Sequence, residues 1–319
     1  MRTLLPPHNL NDPVIQLMKL NRLRLSIVLI AFWLSHAFSA TVIDSRAHDI
    51  TLPQPATRII SLAPHVTELL FAAGAGEKII ATVSYSNFPE AANSIPLIGS
   101  YVKFDFERIL AYKPDLIVGW ESGNPPDAIA KLEQLGLTVF LSEPRKLADI
   151  AGEIHKLGTL ADTEEVANRA AEKFLTAINQ LIQQYQNQLP VTLFYQMWHA
   201  PLMTLNGEHL FSDVVKICGG VNVFADLKTL APRIDVEAVL QANPDVILAS
   251  GMDEARPEWL DEWHNWPQIT AVNYEQLYFI HPDLLQRHSP RIAEGARQLC
   301  QYLDLARKLK TPENIARTH

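Results

Sequence analysis

The chain has little glycine, little cysteine and no excess of basic charge, and each shortage removes a class of function. Thirteen glycines in 319 residues is about 4%, against a usual ~7%, so a glycine-built phosphate cradle would have to show itself as a motif. None does. The nearest candidate, Gly74-Ala75-Gly76-Glu77-Lys78-Ile79, lacks the last glycine of GxGxxG, and no GxxxxGK[ST] occurs. With 27 Lys+Arg against 35 Asp+Glu, a net charge of −8, the protein repels phosphate backbones rather than gathering them. GxSxG and HExxH are absent, and the two cysteines offer no nucleophile–histidine pairing. What is present is 48% apolar and 19% charged residues, a composition that excludes disorder and suggests roughly two folded domains.

The first forty residues differ from the rest. Lys19, Arg22 and Arg24 form a basic patch, Leu25 to Trp33 is an almost unbroken apolar run, and small residues follow at Ala37, Ser39 and Ala40. That order is a secretory signal, with cleavage expected after Ser39 and residues 1–39 removed. The apolar run is short for a membrane span of ~20 residues, although an uncleaved N-terminal anchor is the alternative. Met18 opens a better signal than Met1 does, so translation is expected to start there. Export leaves 23 basic against 34 acidic residues, an acidic protein in an oxidising compartment. There Cys218 and Cys300 can bridge, or remain as two buried thiols.

Two segments 130 positions apart repeat each other. Asp105-Phe106-Glu107-Arg108-Ile109-Leu110-Ala111-Tyr112-Lys113-Pro114-Asp115-Leu116-Ile117-Val118 and Asp235-Val236-Glu237-Ala238-Val239-Leu240-Gln241-Ala242-Asn243-Pro244-Asp245-Val246-Ile247-Leu248 share Asp, Glu, Leu, Pro-Asp and Ile in register. Each reads as a short helix stopped at proline, a turn, and an apolar strand of the kind buried on both faces of a parallel sheet. Glu68–Gly74 and Asp213–Gly219 form a second pair, amphipathic helices ended by glycine. Strands are expected at 58–62, 78–82, 137–141, 191–195 and 277–280, with a helix near 126–135. The fold class is α/β: two similar lobes, each a parallel sheet flanked by helices. Between them, Val166, Ala170, Phe174, Leu175, Ile178 and Leu181 recur at helical spacing within 163–189, where Thr163 can cap one long rigid backbone helix. The expected domains are an N-terminal segment 40–57, a lobe 58–145, a linking region 146–189, a second lobe 190–308 and a polar tail 309–319, with a ligand cleft between the lobes.

Candidate chemistry lies in loops after strands, where open α/β folds line their ligand crevice. Tyr85, Tyr101, Trp120 and Trp198 fall there, and aromatic faces with a few polar groups suit a large, flat, partly apolar ligand; packing under the loops is the alternative. Trp259, Trp263 and Trp266, at helical spacing, read as packing. His48, His65, His155, His199, His209, His264, His281 and His288 are scattered, so no metal site is expected, though His65 and His199 follow opening strands and could reach the cleft. Glu107 and Glu237 occupy equivalent positions in the repeat. They could dock a two-fold symmetric basic partner, or simply favour the positive ends of their helices.

Ser61-Leu62-Ala63-Pro64-His65-Val66-Thr67-Glu68, Ser84-Tyr85-Ser86, Phe106-Glu107-Arg108-Ile109, Lys113-Pro114-Asp115-Leu116-Ile117, Cys218-Gly219-Gly220 and Ser289-Pro290-Arg291-Ile292 resemble the periplasmic cobalamin-binding proteins of ABC importers. That family belongs to a class of binding proteins with a helical backbone, which also takes siderophores and haem. The resemblance spans about residues 57–305. It implies that Tyr85, Tyr101 (where a tryptophan is common) and Trp120 contact the corrin from the first lobe, and that Met197, Met203, Asp283 and Arg287 do so from the second. It implies docking of Glu107 and Glu237 on arginines of two permease subunits, and a Cys218–Cys300 disulfide. The chain departs from the family at Ala231, where a tryptophan is usual, and at Leu284 and Leu285, where aromatics are usual.

The expected function is capture of cobalamin, as transported ligand and not as cofactor, and its delivery to an inner-membrane ABC permease dimer by a monomer with no catalytic residues. The alternative within the class is a ferric-siderophore or haem receptor. A siderophore site calls for several cleft arginines, and only Arg233 and Arg287 are available. An exported metal-dependent enzyme would need clustered ligands that the sequence lacks.

Overall fold

The computed structural model describes residues 39–251 and 255–309. The expected export signal, the expected start at Met18 and nearly all of the expected polar tail lie outside them. The described chain opens with an antiparallel hairpin of β1 (Ala40–Ile43) and β2 (Asp49–Leu52), in which inward and outward residues alternate. Then come β3 (Ile59–Ser61), α1 (Pro64–Ala72), β4 (Ile79–Ala81), the short hairpin β5 (Gly99–Ser100) and β6 (Lys103–Phe104), α2 (Phe106–Tyr112), β7 (Leu116–Trp120), α3 (Pro126–Gln134) and β8 (Val139–Ser142). The first-lobe strands pair in parallel in the order β4-β3-β7-β8.

Two helices follow, α4 (Leu147–Ala161) and α5 (Glu164–Tyr185). The second lobe carries β9 (Val191–Gln196), the hairpin β10 (Trp198–His199) and β11 (Leu202–Met203), α6 (Leu210–Ile217), β12 (Gly220–Asn222), α7 (Val236–Ala242), β13 (Val246–Ala249), α8 (Thr270–Asn273), β14 (Leu277–Phe279), α9 (Pro282–Leu285) and α10 (Ile292–Leu309). Its sheet, all parallel, has the order β12-β9-β13-β14. Both lobes therefore place their strands as second, first, third, fourth: one plan used twice.

The repeat seen in the sequence has a physical purpose. Asp105 and Asp235 accept the backbone N–H of Arg108 and Ala238 at 3.1 and 2.8 Å, capping α2 and α7. Each helix ends on a left-handed residue, Lys113 at φ 47° and Asn243 at φ 42°, just before the proline. The carboxylate after that proline then fastens the third strand to the start of the first. Asp115 accepts the N–H groups of Thr57 and Arg58 and the Thr57 hydroxyl; Asp245 accepts the N–H and hydroxyl of Thr192 at 2.7 and 2.6 Å. Leu116, Ile117 and Val118 in one lobe, and Val246, Ile247 and Leu248 in the other, are buried, as central parallel strands require.

Helix α5 has 22 residues, about 33 Å of stiff rod, somewhat shorter than the 163–189 span suggested. It buries Ala167, Ala171, Phe174, Ile178, Leu181 and Tyr185, packs along α4, and touches α1 of the first lobe and α6 and α10 of the second. A methyl at Gly158 would lie 2.4 Å from the Ala167 side chain, so the close α4–α5 approach depends on glycine there. Thr163 stands at the cap position but makes no capping bond. Its hydroxyl instead donates to the Ala73 carbonyl at 2.6 Å, tying the rod to the end of α1.

Candidate ligand-binding site

The predicted contact residues collect at the carboxyl ends of the two sheets. Tyr85, four positions past β4, has φ 68° and is 75% exposed. Tyr101 turns the β5–β6 hairpin, and Trp120 is the last residue of β7, with ring centroids 5.9 Å apart. Trp120 lies over Gly123, where a methyl would come within 1.9 Å of the indole. Asn124 locks these loops together: its Oδ1 accepts the Trp120 N–H at 2.6 Å while Nδ2 donates to the carbonyls of Leu62 and Tyr101. Sequence reasoning missed Asn124, because an asparagine in a turn looks like any other turn residue.

In the second lobe Met197 follows β9, its N–H donating to the Met203 carbonyl at 3.0 Å. Trp198 and Met203 pair across the β10–β11 hairpin, and the Trp198 indole donates to the Ala200 carbonyl. All three side chains are partly exposed. His199 stacks on Trp259 at 5.4 Å, while Trp263 is buried in the second-lobe core with Trp266 against it. Leu284 and Leu285 are also buried. Glu107 and Glu237 sit exposed in the first turns of α2 and α7. Cys218 and Cys300 form a disulfide joining the end of α6 to α10.

Asp283 and Arg287 lie in a polar joint between the lobes. The Arg287 guanidinium donates to Glu68 Oε1 (2.8 Å), Asn87 Oδ1 (2.8 Å) and the Tyr85 carbonyl (3.0 Å), all of the first lobe, and pairs with Asp283 at 2.8 Å. Glu68, its side chain 2% exposed, also takes the Ser289 hydroxyl at 2.5 Å and Arg291 at 3.2 Å. Arg291 stands over the Phe88 ring at 4.2 Å. A carboxylate so buried persists as an ion only because it is paired and hydrogen-bonded this completely. Arg287, which the resemblance implies as a ligand contact, is held by these partners. The joint was foreshadowed by Glu68, one acidic residue on the buried helix α1, and by Asp283, Arg287 and Arg291 at four-residue spacing.

Beside it lies an uncharged joint. His65 of the first lobe meets Trp120 edge-on at 5.1 Å and faces His288 of the second lobe at 5.7 Å; His209 lies 5.3 Å from His288. Burial, with the charges of His288 and Arg287 second, holds the His65 pKa well below its ordinary value. Burial and then Arg145 push His288 down to about 4, and burial, His288 and Arg145 push His209 down to about 3. These imidazoles are neutral at pH 7. Among the described residues no group of three or more His, Cys, Asp or Glu side chains could hold a metal ion, and no helix is long and apolar enough to cross a membrane.

Two like lobes on a helical rod, with aromatic rings at the strand ends, define a ligand receptor built around an inter-lobe cleft. The periplasmic binding protein family model matches residues 59–284, and the chain belongs to that family. It is 39% identical over 257 residues, covering 80% of this chain and 92% of the relative, to the vitamin B12-binding protein of Vibrio cholerae serotype O1. The vitamin B12-binding protein of Yersinia pestis is 38% identical over 275 residues, covering 85% and 93%. The crystal structure of BtuF, the periplasmic vitamin B12-binding protein of V. cholerae, superposes with a TM-score of 0.73 at 38% identity, covering 80% of this chain and 99% of that one. The periplasmic haem-binding protein HutB of the same species shares the fold, with a TM-score of 0.68 at 20% identity over 77% of this chain and 98% of that one.

Proposed function

We propose that this chain is a periplasmic receptor that captures cobalamin between its lobes and hands it to an ABC permease. The observation that carries the reading is the 39% identity to a vitamin B12-binding protein over nearly all of that relative. The site is consistent with it. Tyr85, Tyr101 and Trp120 supply aromatic faces from the first lobe, and Met197, Trp198 and Met203 supply adaptable apolar contacts from the second. Arg287, held by Glu68, and Asp283, held by Arg287 and Arg291, give the second lobe a fixed polar edge beside the ligand. No covalent step is needed; affinity comes from stacking, apolar burial and a few directed hydrogen bonds.

Glu107 and Glu237, exposed at equivalent places of the two copies, are the docking points for arginines of a permease dimer, and the receptor acts as a monomer. Isothermal titration of the exported chain with cyanocobalamin, haemin and a ferric siderophore tests the ligand. Micromolar or tighter binding of cyanocobalamin alone is expected; preference for haemin or the siderophore would replace the reading with the other ligand classes. The Glu107→Ala, Glu237→Ala double variant should bind cyanocobalamin as before and lose uptake; unchanged uptake would refute the docking role.

A further inference from the structure

The two inter-lobe joints differ in what they leave unsatisfied. In the ionic joint, both Glu68 oxygens and both Arg287 Nη atoms have partners. In the uncharged joint, His65 Nε2, Trp120 Nε1 and His288 Nδ1 are buried and find no hydrogen-bond partner among the described residues. Their rings form a triangle with sides of 5.1, 5.7 and 6.3 Å, two corners from the first lobe and one from the second. His65 and His288 are 4% and 5% exposed. A cavity of about 30 Å³ opens against Trp120 and His288, with His209, Arg145, Glu208 and Glu143 also in its wall.

A buried polar atom without a partner costs ~1–3 kcal/mol, and such atoms in native proteins call for an explanation. Three together, from both lobes, at the end of the sheets where the ligand cleft lies, are explained if their partner arrives with the ligand. The chemistry of that partner is restricted. An indole N–H only donates, and a neutral imidazole offers one donor and one acceptor. Burial, with Arg287 and Arg145 nearby, keeps both imidazoles uncharged. Arg287 is committed to Glu68 and Asp283, and Arg145 in the cavity wall already stands 3.9 Å from Glu143, with Glu208 beside them, so a carboxylate here would add negative charge to a place where the cations are already matched. A primary carboxamide, whose oxygen accepts and whose NH₂ donates, matches the set.

We propose that His65 and His288, with Trp120, form a neutral hydrogen-bonding subsite across the two lobes that reads an uncharged amide on the edge of the bound ligand. This rests on the cobalamin reading, since a corrin is fringed with such amides, and makes these histidines specificity-determining residues. It separates an amide-edged ligand from a carboxylate-edged one such as haem.

The test is titration of wild type, His65→Phe, His288→Phe and His65→Gln with cyanocobalamin, and with a cyanocobalamin derivative in which one edge amide is hydrolysed to the acid, with the Tm of each free protein measured alongside. Each phenylalanine variant should lose about tenfold in affinity, the cost of roughly one unmade buried bond, while its Tm holds or rises because an unsatisfied buried polar atom is gone. His65→Gln, which keeps a donor and an acceptor, should bind within about threefold of wild type, roughly half the penalty of a lost bond. At least one monoacid should bind wild type less tightly. Phenylalanine variants that bind as tightly as wild type overturn the subsite and leave the cobalamin reading standing. Affinity and Tm falling together would make these residues structural and overturn it too. A wild type that takes no cyanocobalamin overturns both readings.

Discussion

The two lobes share a frame and differ in what is attached to it. Strand order, aspartate-capped helix, left-handed helix end and strand-fastening carboxylate recur in both. The first lobe adds aromatic rings fixed by Asn124. The second adds a hairpin with Trp198 and Met203, the Cys218–Cys300 disulfide, and the arginines that reach across to Glu68. A duplicated scaffold can hold its geometry while the loops at the strand ends diverge, and those loops carry the proposed ligand contacts.

The largest way to break this comparison is to unstaple only the second lobe. The Cys218→Ala, Cys300→Ala variant opens a link 82 residues apart in sequence and should cost about 4–5 kcal/mol in the chain-entropy model. In chemical denaturation with exchange monitoring, second-lobe amides should lose protection before first-lobe amides. Glu68→Ala attacks the joint itself. It strands Arg287 and Arg291 without their buried counter-charge and should cost about 3–5 kcal/mol, measured by urea unfolding, with Arg287→Met in the same background recovering part of the loss.

Acid should act on the uncharged joint. His65, His209 and His288 are held neutral below an ordinary pKa of 6.5, so the unfolded chain binds protons that the folded chain refuses. Stability is therefore full above pH 6.5 and falls as pH drops toward about 4, where His288 itself titrates, by on the order of 2–3 kcal/mol from that residue. Replacing His65 and His288 by phenylalanine should flatten the Tm-versus-pH curve in that window.

The smallest effect separates the left-handed helix ends. Lys113 has a Cβ in an unfavourable region, so Lys113→Gly should stabilise the first lobe by up to about 1 kcal/mol. Asn243 tolerates the region and its Oδ1 accepts the Thr270 N–H at 2.7 Å. Asn243→Gly should therefore destabilise by about 1 kcal/mol. Thermal unfolding of the pair reads opposite signs from equivalent positions.

Much of the frame was legible because it is local. The apolar runs 116–118 and 246–248, the Pro-Asp turns and the helical character of α5 announce themselves within a few residues, although α5 buries Ala167 and Ala171 and leaves the expected Val166 exposed. The candidate site was legible only in part. Aromatics after strands marked Tyr85, Tyr101 and Trp120, but Glu68 finds Arg287 219 positions away, and His65 finds His288 across the opposite lobe. No period or motif encodes such pairings; they follow from packing two finished lobes together. For the same reason nothing local announces that Arg287, expected to contact the ligand, is tethered to Glu68 and Asp283. The β1–β2 hairpin, passed over as a plain N-terminal segment, carried its signal in the alternation of Ala40–Ile43 and Asp49–Leu52.

The central claim is that one ligand is held by both lobes at once. Hydrogen exchange of the exported chain with and without cyanocobalamin tests it most directly. Added protection is expected in the loops after β3, β4 and β7 of the first lobe together with those after β9 and β14 of the second. Protection confined to one lobe, or absent at saturating ligand, would contradict it.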